Sequence, residues 1–472
     1  MYECPGCGRN LRFDIKSQSM KCEYCDNTVD PYAAVNTHDA KEVKTSDDEY
    51  VVTEFTCPQC GGTIYSDDVE AAAFCSYCGA STILTSRLTN VRKPDHIIPF
   101  TKTKEDCKQA YKKMVKKCPY APKEAKDASH IDSFRGIYMP YWMYDYNRDS
   151  LSRFKGEKHY SKGGYDYTEE YEFETEIYSD YDGVSFDASS AFEDNLSGAI
   201  APFEVNAKKD FTPAFLSGFY ADSYDVTSDT YSKRGYDAVA KDTAKRLSKD
   251  PELKGYTFDR EALAHCVAPQ SKNVKLAMFP VWFMSYRNKD RKGNEYMVYS
   301  AINGQTGKIA ADMPVDPKKF LFASLLFAIV LFGFFNIVLS VKPSTMLILV
   351  DIISFISALT VSSKVSKLKG RIDGSDDAGL KAAKRKNDTQ WADKLVAAFR
   401  FNFLPFGITL LLTIILIAAK SIHDEFYYIV AAASILASLY FLIKLVGNYN
   451  LLTMRPLPQF NKKGGNDSEQ DD

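Results

Sequence analysis

The sequence lacks the short motifs that identify the common classes of enzyme. It contains no G-x-S-x-G of serine hydrolases, no H-E-x-x-H of zinc peptidases and no Walker A sequence of nucleotide-driven motors. Its isolated cysteines, Cys107, Cys118 and Cys266, are weak candidates for a nucleophile. We therefore predict a protein that is not an enzyme. The few histidines are scattered without the spacing of metal ligands, at His38, His96, His130, His159, His265 and His423.

Eight of the eleven cysteines form two matching quartets. Each quartet consists of two Cys-x-x-Cys motifs with fourteen residues between them. Tetrahedral zinc takes four soft ligands, and each motif offers two thiolates to one ion. Disulfide pairing is the alternative, but the repeated spacing favours a metal. We predict two structural zinc ions, since four thiolates leave no position for a water molecule. The ligands are Cys4, Cys7, Cys22 and Cys25 in the first quartet, and Cys57, Cys60, Cys75 and Cys78 in the second.

The first ninety residues carry few positive charges for a protein that binds nucleic acid. Over this span seven lysine and arginine residues face fourteen aspartate and glutamate residues. Binding to nucleic acid requires basic groups that neutralise phosphates. Each cysteine quartet and the residues around it would form a small zinc-bound unit, a zinc ribbon. We therefore expect the two ribbons to bind protein, with nucleic acid as an unfavoured partner. The alternative is a local basic patch, formed by Arg9, Arg12, Lys16 and Lys21.

Residues 91–319 predict an α+β region with a weak internal repeat. Pro140 is followed by Trp142 and Tyr146, and the same spacing recurs at Pro280, Trp282 and Tyr286. We expect a buried strand at each copy. Each strand follows a lysine-rich segment with the periodicity of a helix, at Thr103–Lys117 and Tyr231–Ser248.

Two further patterns in this region predict hairpins. In Glu170–Ile177 a row of carboxylates alternates with apolar side chains, which is typical of a strand with one solvated face. Acid–base chemistry or cation binding is the alternative. Gly304–Lys308 resembles a phosphate loop only superficially, because the spacing does not match Walker A, and we interpret it as a turn.

The two quartets, with Leu276–Asn288 and Ala301–Pro314, resemble the bacterial TFIIB-type double zinc-ribbon membrane proteins. The resemblance covers residues 1–315. Members of that family are often labelled primosomal helicases, a label that the missing Walker A sequence does not support here. They are commonly encoded beside phage-shock-type membrane-remodelling proteins and SPFH-domain scaffolds. The resemblance thus implies such partners and a role in envelope maintenance or stress.

Four apolar segments predict a membrane domain. The first has 22 residues without a charge, enough to cross the ~30 Å hydrocarbon core at ~1.5 Å per residue. The second carries Asp351, which is either a functional residue or a side chain that reaches the membrane interface. The segments are Phe320–Val341, Thr345–Ser362, Phe401–Ala419 and Phe426–Val446.

The predicted topology places both termini in the cytoplasm. Residues 363–400 carry ten lysine and arginine residues, whereas the other two connections carry one each. Unpaired thiolates also suit a reducing compartment, and Met1–Cys4 resembles no signal peptide. We expect a multi-pass protein of the cell membrane, in contact with the lipid bilayer.

The predicted fold class is multidomain: two small zinc ribbons, an α+β soluble region with two related units, and an all-α four-helix transmembrane domain. The predicted segments are a first ribbon at 1–38, a linker at 39–50, a second ribbon at 51–90, the α+β region at 91–319, the membrane domain at 320–446 with its cytoplasmic loop at 363–400, and a polar tail at 447–472.

The predicted function is that of a membrane-anchored zinc-ribbon adaptor that docks cytoplasmic partner proteins at the membrane. A membrane-tethered nucleic-acid-binding factor is the alternative, which the acidity of the ribbons disfavours. A transporter or membrane enzyme that uses Asp351 is the second alternative. Few charges lie within the apolar segments, and this disfavours transport.

Overall fold

A small antiparallel sheet forms the beginning of the chain. It contains β1 (Leu11–Asp14), β2 (Ser19–Cys22) and β3 (Thr28–Val29) in that order. Alternate side chains point inward, so that Leu11 and Phe13 are buried while Arg12 is exposed. The computed structural model describes residues 2–34, 49–66, 75, 77, 78, 85–189, 192, 194–289, 295–338, 342–353, 355, 356, 359, 363, 404–418 and 424–453.

A larger mixed sheet organises the rest of the described strands. Its strands are β4 (Glu49–Thr56), β5 (Thr63–Tyr65), β6 (Thr85–Arg92), β7 (His96–Ile97), β8 (Arg135–Lys162), β9 (Tyr165–Asp187), β10 (Lys209–Asp210), β11 (Tyr220–Ala221), β12 (Gln270–Lys289), β13 (Glu295–Asn303) and β14 (Ile309–Ala311). The main path of the sheet runs β10-β7-β12-β8-β11-β5-β4-β6. In addition, β9 pairs with β8, and β13 pairs with both β12 and β14.

The centre of this sheet is the antiparallel pair β8–β12, which contains both copies of the predicted repeat. Met139 lies opposite Phe279, and the two copies extend symmetrically away from this pair. Each copy contains a tryptophan whose indole N–H donates to a backbone carbonyl just before a helix. Trp142 donates to Val226 and Trp282 to Lys102, both at 2.8 Å. The sequence repeat is therefore a pseudo-twofold arrangement of two strand–helix units.

Five helices lie between strands of the large sheet in the chain, and the other described helices follow its last strand. Thr103 caps the first helix, α1 (Lys104–Lys116), in a capping box with Asp106, and the helix buries Cys107, Tyr111 and Val115, as its periodicity predicted. The bounds are α1 (Lys104–Lys116), α2 (Ala128–Asp132), α3 (Asp194–Ile200), α4 (Asp229–Leu247), α5 (Arg260–Val267), α6 (Pro317–Val338), α7 (residues 343–353), α8 (Leu404–Ala418) and α9 (Asp424–Thr453).

Both predicted hairpins are present. The carboxylates of β9 lie beside β8, where Arg153 is opposite Glu174 and forms an ion pair with it at 3.0 Å. This ion pair fits the interpretation of a solvated strand face, and acid–base chemistry or cation binding stays the alternative. In the turn between β13 and β14, the Asn303 carboxamide oxygen accepts the backbone N–H of Gln305 and of Thr306, each at 2.9 Å.

The predicted fold class is wrong, because no helix in the described part of the chain is both long and apolar enough to cross a membrane. Helix α8 has 15 residues, about 22 Å at 1.5 Å per residue, against a hydrocarbon core of ~30 Å. The apolar part of α6, Phe320–Val338, has 19 residues and spans about 28 Å. Helix α9 is longer but carries Asp424, Glu425 and Lys444.

The same finding overturns the predicted localisation as a multi-pass membrane protein. The apolar segments of the sequence were read as continuous spans, whereas the described helices are shorter or include charged residues. The ten basic residues between 364 and 400, on which the predicted topology depended, lie outside the described residues, as do residues 39–48 of the linker and 454–472 of the tail. The other domain bounds stay predictions.

A glycine in the β13–β14 turn provides a test of the core. A Cβ atom on Gly304 would lie 2.5 Å from Cδ1 of Phe100 and 2.9 Å from Cβ of Pro280. We expect Gly304→Ala to lower the free energy of unfolding by about 1–3 kcal/mol through overpacking, as measured by chemical denaturation. Gly198→Ala in α3 is the control, because nothing lies within 4 Å of its added Cβ. Equal stabilities of the two variants would contradict the close packing around Phe100.

Candidate metal centres

The first quartet of cysteines comes together at one end of the small sheet. The Sγ atoms of Cys4 and Cys25 lie 3.5 Å apart, as do those of Cys7 and Cys22. All four ligand atoms lie within 4.8 Å of one another. The spacing of the sequence therefore predicted the grouping correctly.

Tight turns bring the cysteines of each motif together. In the first motif the Gly8 N–H donates to the Cys4 carbonyl at 2.8 Å, and in the next the Asp26 N–H donates to the Cys22 carbonyl at 3.0 Å. Gly61 makes the same contact with Cys57 at 2.8 Å. The three residues that close these turns have positive φ, +72°, +55° and +77°, a conformation that glycine and aspartate adopt more readily than other residues.

The second quartet forms a similar cluster beside the large sheet. The Sγ atoms of Cys57 and Cys78 lie 3.8 Å apart, and those of Cys60 and Cys75 lie 3.7 Å apart. The Gly62 N–H points at the Cys60 Sγ, at 3.5 Å. The four thiols again lie within 4.8 Å of one another, and all four are buried.

The chemistry of both clusters fits a soft divalent cation. In the first, burial raises the pKa of Cys4, but N–H groups of Gly6 and Cys7 and the Cys25 thiol outweigh it and lower that pKa to about 6. In the second, the other three thiols lower the pKa of Cys57 and raise that of Cys60. Four thiols crowded together thus favour a shared negative charge, which a bound metal ion would neutralise. Each cluster is compatible with one metal ion.

The second cluster is tied closely to the body of the protein. The Arg287 Nε–H donates to the Cys78 carbonyl at 2.6 Å, and its Nη2 donates to Gln59 Oε1 at 2.9 Å. The Tyr299 hydroxyl donates to the Tyr77 carbonyl at 3.1 Å. Strand β5 pairs with β11, which in turn pairs with β8, so this ribbon extends the large sheet.

A buried carboxyl beside the second cluster was missed by the sequence analysis. Burial raises the pKa of Asp222 to about 7, although hydrogen bonds from the Ser189 hydroxyl and the Ser223 N–H oppose the rise. The Tyr77 hydroxyl lies beside this carboxylate, and burial followed by the nearby charge raises the pKa of Tyr77 as well. Nothing in the sequence around Asp222 signals burial, because its neighbours Ser223, Tyr224 and Asp225 are polar.

Two of the four basic residues proposed as a patch on the first ribbon, Arg12 and Lys21, have acidic partners. Arg12 and Lys21 lie opposite each other on β1 and β2. The Arg12 Nη1 atom lies 3.8 Å from Oε1 of Glu23, and the Lys21 Nζ atom lies 2.9 Å from Oδ1 of Asp26. Arg9 stacks over the ring of Tyr24, with 3.9 Å between its Cζ and the ring centroid.

The other candidate residues join no metal cluster. Among the described residues, the two cysteine quartets are the groups of three or more potential ligands that lie close enough to hold an ion. Cys107 lies on the buried face of α1, where burial raises its pKa to about 12. Asp351 accepts hydroxyl hydrogen bonds from Thr413 and Ser434, each at 2.5 Å, and so links α7 to α8 and α9.

The raised pKa of Asp222 predicts a pH dependence of stability. Its folded-state pKa of about 7 exceeds the ordinary value of 3.8, so stability is lost as the pH rises from about 4 through 7. Asp222→Asn has no titrating carboxyl group at this position. Its free energy of unfolding relative to that of the wild type should therefore rise by roughly 2–4 kcal/mol between pH 4 and pH 8, at 1.36 kcal/mol per pKa unit. Chemical denaturation across this range measures the difference. The exposed Asp149→Asn serves as control, and equal pH slopes in all three proteins would contradict the assignment.

Comparison with known proteins gives a relative in a bacterium. The chain is 30% identical over 322 residues to a protein of Bacillus subtilis (strain 168) described as uncharacterized protein YdjG. The match covers 67% of this chain and 91% of that protein. No family model matches the chain, and no solved structure matches it. At this identity and coverage, the chain belongs to the family of the Bacillus subtilis protein YdjG.

Proposed function

We propose that the protein is an adaptor, in which two zinc ions stabilise cysteine ribbons that bind partner proteins. The observation that carries this proposal is the pair of closed tetracysteine clusters. Four thiolates fill a tetrahedral coordination sphere and leave no position at which a substrate or a water molecule could bind the metal. Such a site supplies folding energy rather than catalysis.

Zinc is the metal that the ligand set favours. Thiolates are soft ligands, and a cage of four sulfur atoms selects zinc or iron over the hard cations magnesium and calcium. Cys-x-x-Cys motifs with a short spacer between them are typical of structural zinc sites.

The charges on the first ribbon favour a protein partner. Acidic side chains neutralise Arg12 and Lys21, so these residues offer little to a phosphate backbone. The exposed side chain of Tyr24 beneath Arg9 offers instead the aromatic and guanidinium groups that are enriched at protein interfaces. The phage-shock-type and SPFH proteins that the resemblance implies stay predicted partners.

Metal analysis of the purified full chain tests the zinc sites. We expect two zinc ions per chain by inductively coupled plasma mass spectrometry. Cys57→Ser should leave one zinc ion and unfold the second ribbon, because each cluster takes its four ligands from its own ribbon. Cys107→Ser is the matched control, since Cys107 is equally buried but lies outside both clusters, and it should keep two ions. One ion or none in the wild type would refute the proposal.

A binding experiment distinguishes a protein adaptor from a nucleic-acid factor. We expect the full chain to show no salt-dependent binding to mixed-sequence DNA or RNA at low ionic strength. The double variant Glu23→Gln, Asp26→Asn frees Arg12 and Lys21, and it should bind more tightly. Asparagine tolerates the positive φ of position 26, so the fold is preserved.

Low-micromolar binding by the wild type, weakening steeply with salt, would contradict the adaptor proposal. Support would come from a partner protein that cross-links to the full chain, is lost with Cys57→Ser and is retained with Cys107→Ser.

A further inference from the structure

The two cysteine clusters have different surroundings although their sequences match. We propose that the first cluster is an exchangeable metal site, which passes its ion to competing chelating ligands, and that the second holds its ion as a fixed part of the fold. This inference rests on the proposed binding of zinc by both clusters. It assigns the first ribbon a ligand class: molecules that offer thiolate or nitrogen donors to a soft metal.

The ligands of the first cluster are open to solvent on one side. Cys7 and Cys25 are exposed, whereas Cys4 and Cys22 are buried. The exposed pair comes from two different Cys-x-x-Cys motifs. A ligand arriving from solvent can therefore approach the metal beside either of them.

Access matters because an acceptor must reach the cluster to displace a thiolate. If Cys4, Cys7, Cys22 and Cys25 hold zinc, an acceptor from solvent would displace the thiolates of the exposed cysteines first. In each displacement one zinc–sulfur bond would be replaced by one bond to the acceptor, and the proton that the acceptor loses on binding would pass through water to the departing thiolate; replacement of all four thiolates would release the ion. No electron is transferred, and the exchange needs no reactant besides the acceptor.

The first ribbon meets the body of the protein through a different surface. Its inward face carries Phe13, whose ring lies 5.1 Å from that of Phe215. The Phe13 N–H donates to the Ser217 carbonyl at 3.1 Å, and the Ser217 hydroxyl donates to the Leu11 carbonyl at 2.8 Å. These contacts hold the strands and leave Cys7 and Cys25 exposed, so the ribbon need not separate from the body before an acceptor reaches these ligands.

Within the described residues, the second cluster is covered on all four ligands. Its four cysteines are each 2% exposed or less. Phe55, Ile64 and Tyr77 pack around them, and the Tyr77 ring lies 6.3 Å from that of Phe283 in β12. We therefore expect an acceptor to reach these ligands when the ribbon separates from the sheet.

Separation would break the contacts that tie the second ribbon to the body. These include the donation from Arg287 to the Cys78 carbonyl and the pairing of Ala221 with Tyr65. Release of the second ion would therefore require partial unfolding. Release of the first would require only that an acceptor reach the exposed cysteines. The structure thus predicts two release rates from two chemically identical ligand sets.

A chelator experiment on the full chain measures both rates. The zinc-loaded protein is mixed with excess 4-(2-pyridylazo)resorcinol, and the absorbance of the zinc complex is followed. We expect two phases of one zinc equivalent each, the second slower by about tenfold or more, a barrier difference of about 1.4 kcal/mol or more. Cys25→Ser should abolish the fast phase and leave the slow phase unchanged.

A second variant tests the cause of the slow phase. Arg287→Ala removes the donor to Cys78 and should accelerate the slow phase without affecting the fast one. Arg148→Ala is the matched control: Arg148 is also half-buried and donates to a backbone carbonyl, that of Ala268 at 2.7 Å, away from both clusters. It should leave both phases unchanged.

The outcomes separate this inference from the proposed function. Fewer than two equivalents of zinc in the loaded wild type would refute the proposed zinc sites. Two equivalents released in a single phase would leave those sites standing and overturn the inference. Loss of the fast phase with Cys57→Ser rather than with Cys25→Ser would overturn it too.

Discussion

The pairing of β8 with β12 is the constraint on which the rest of the structure depends. Over residues 136–146 and 276–286 both strands are buried, so both faces of the sheet must be covered. Side chains of these two segments supply three separate cores. Tyr138 and Trp282 belong to the first core, and Met139 and Phe279 to the second. Trp142 and Leu276 belong to the third. Because the two copies of the repeat meet at Met139 and Phe279, loss of either strand would remove the partner of the other.

This strand pair also positions the second cysteine cluster. Phe283 of β12 contacts Tyr77, and Arg287, farther along the same strand, binds the Cys78 carbonyl. The second ribbon is therefore an extension of the central sheet. A metal ion bound in this cluster and the contacts with the body would stabilise each other, because a ribbon this short buries little core of its own. The first ribbon touches the body through the inner face of its small sheet and through Gln18 and Tyr32, which donate to the carbonyls of Phe100 and Asp210.

The features that were predictable from sequence are those set by local spacing. The cysteine quartets follow from a spacer of fourteen residues, and α1 follows from its capping residue and apolar periodicity. Burial of Asp222 was not predictable, because it depends on contacts with Tyr77 and Ser189, both distant in sequence. The membrane domain was predicted wrongly because apolar composition was taken as a measure of helix length, whereas the described part of α6 ends at Val338 and α8 has 15 residues.

The two cysteine clusters have the same ligand set but differ in the exposure of their cysteines. A net excess of acidic residues also left open a basic patch on the first ribbon, and only the pairing of Arg12 with Glu23 and of Lys21 with Asp26 argues against it. The same reasoning applies to the metals. Four thiolates would determine which ion binds, whereas the burial of those thiolates would determine how the ion could leave. In this chain the difference in burial between the two clusters arises because β5 joins the large sheet through β11, while β1–β3 form a sheet of their own.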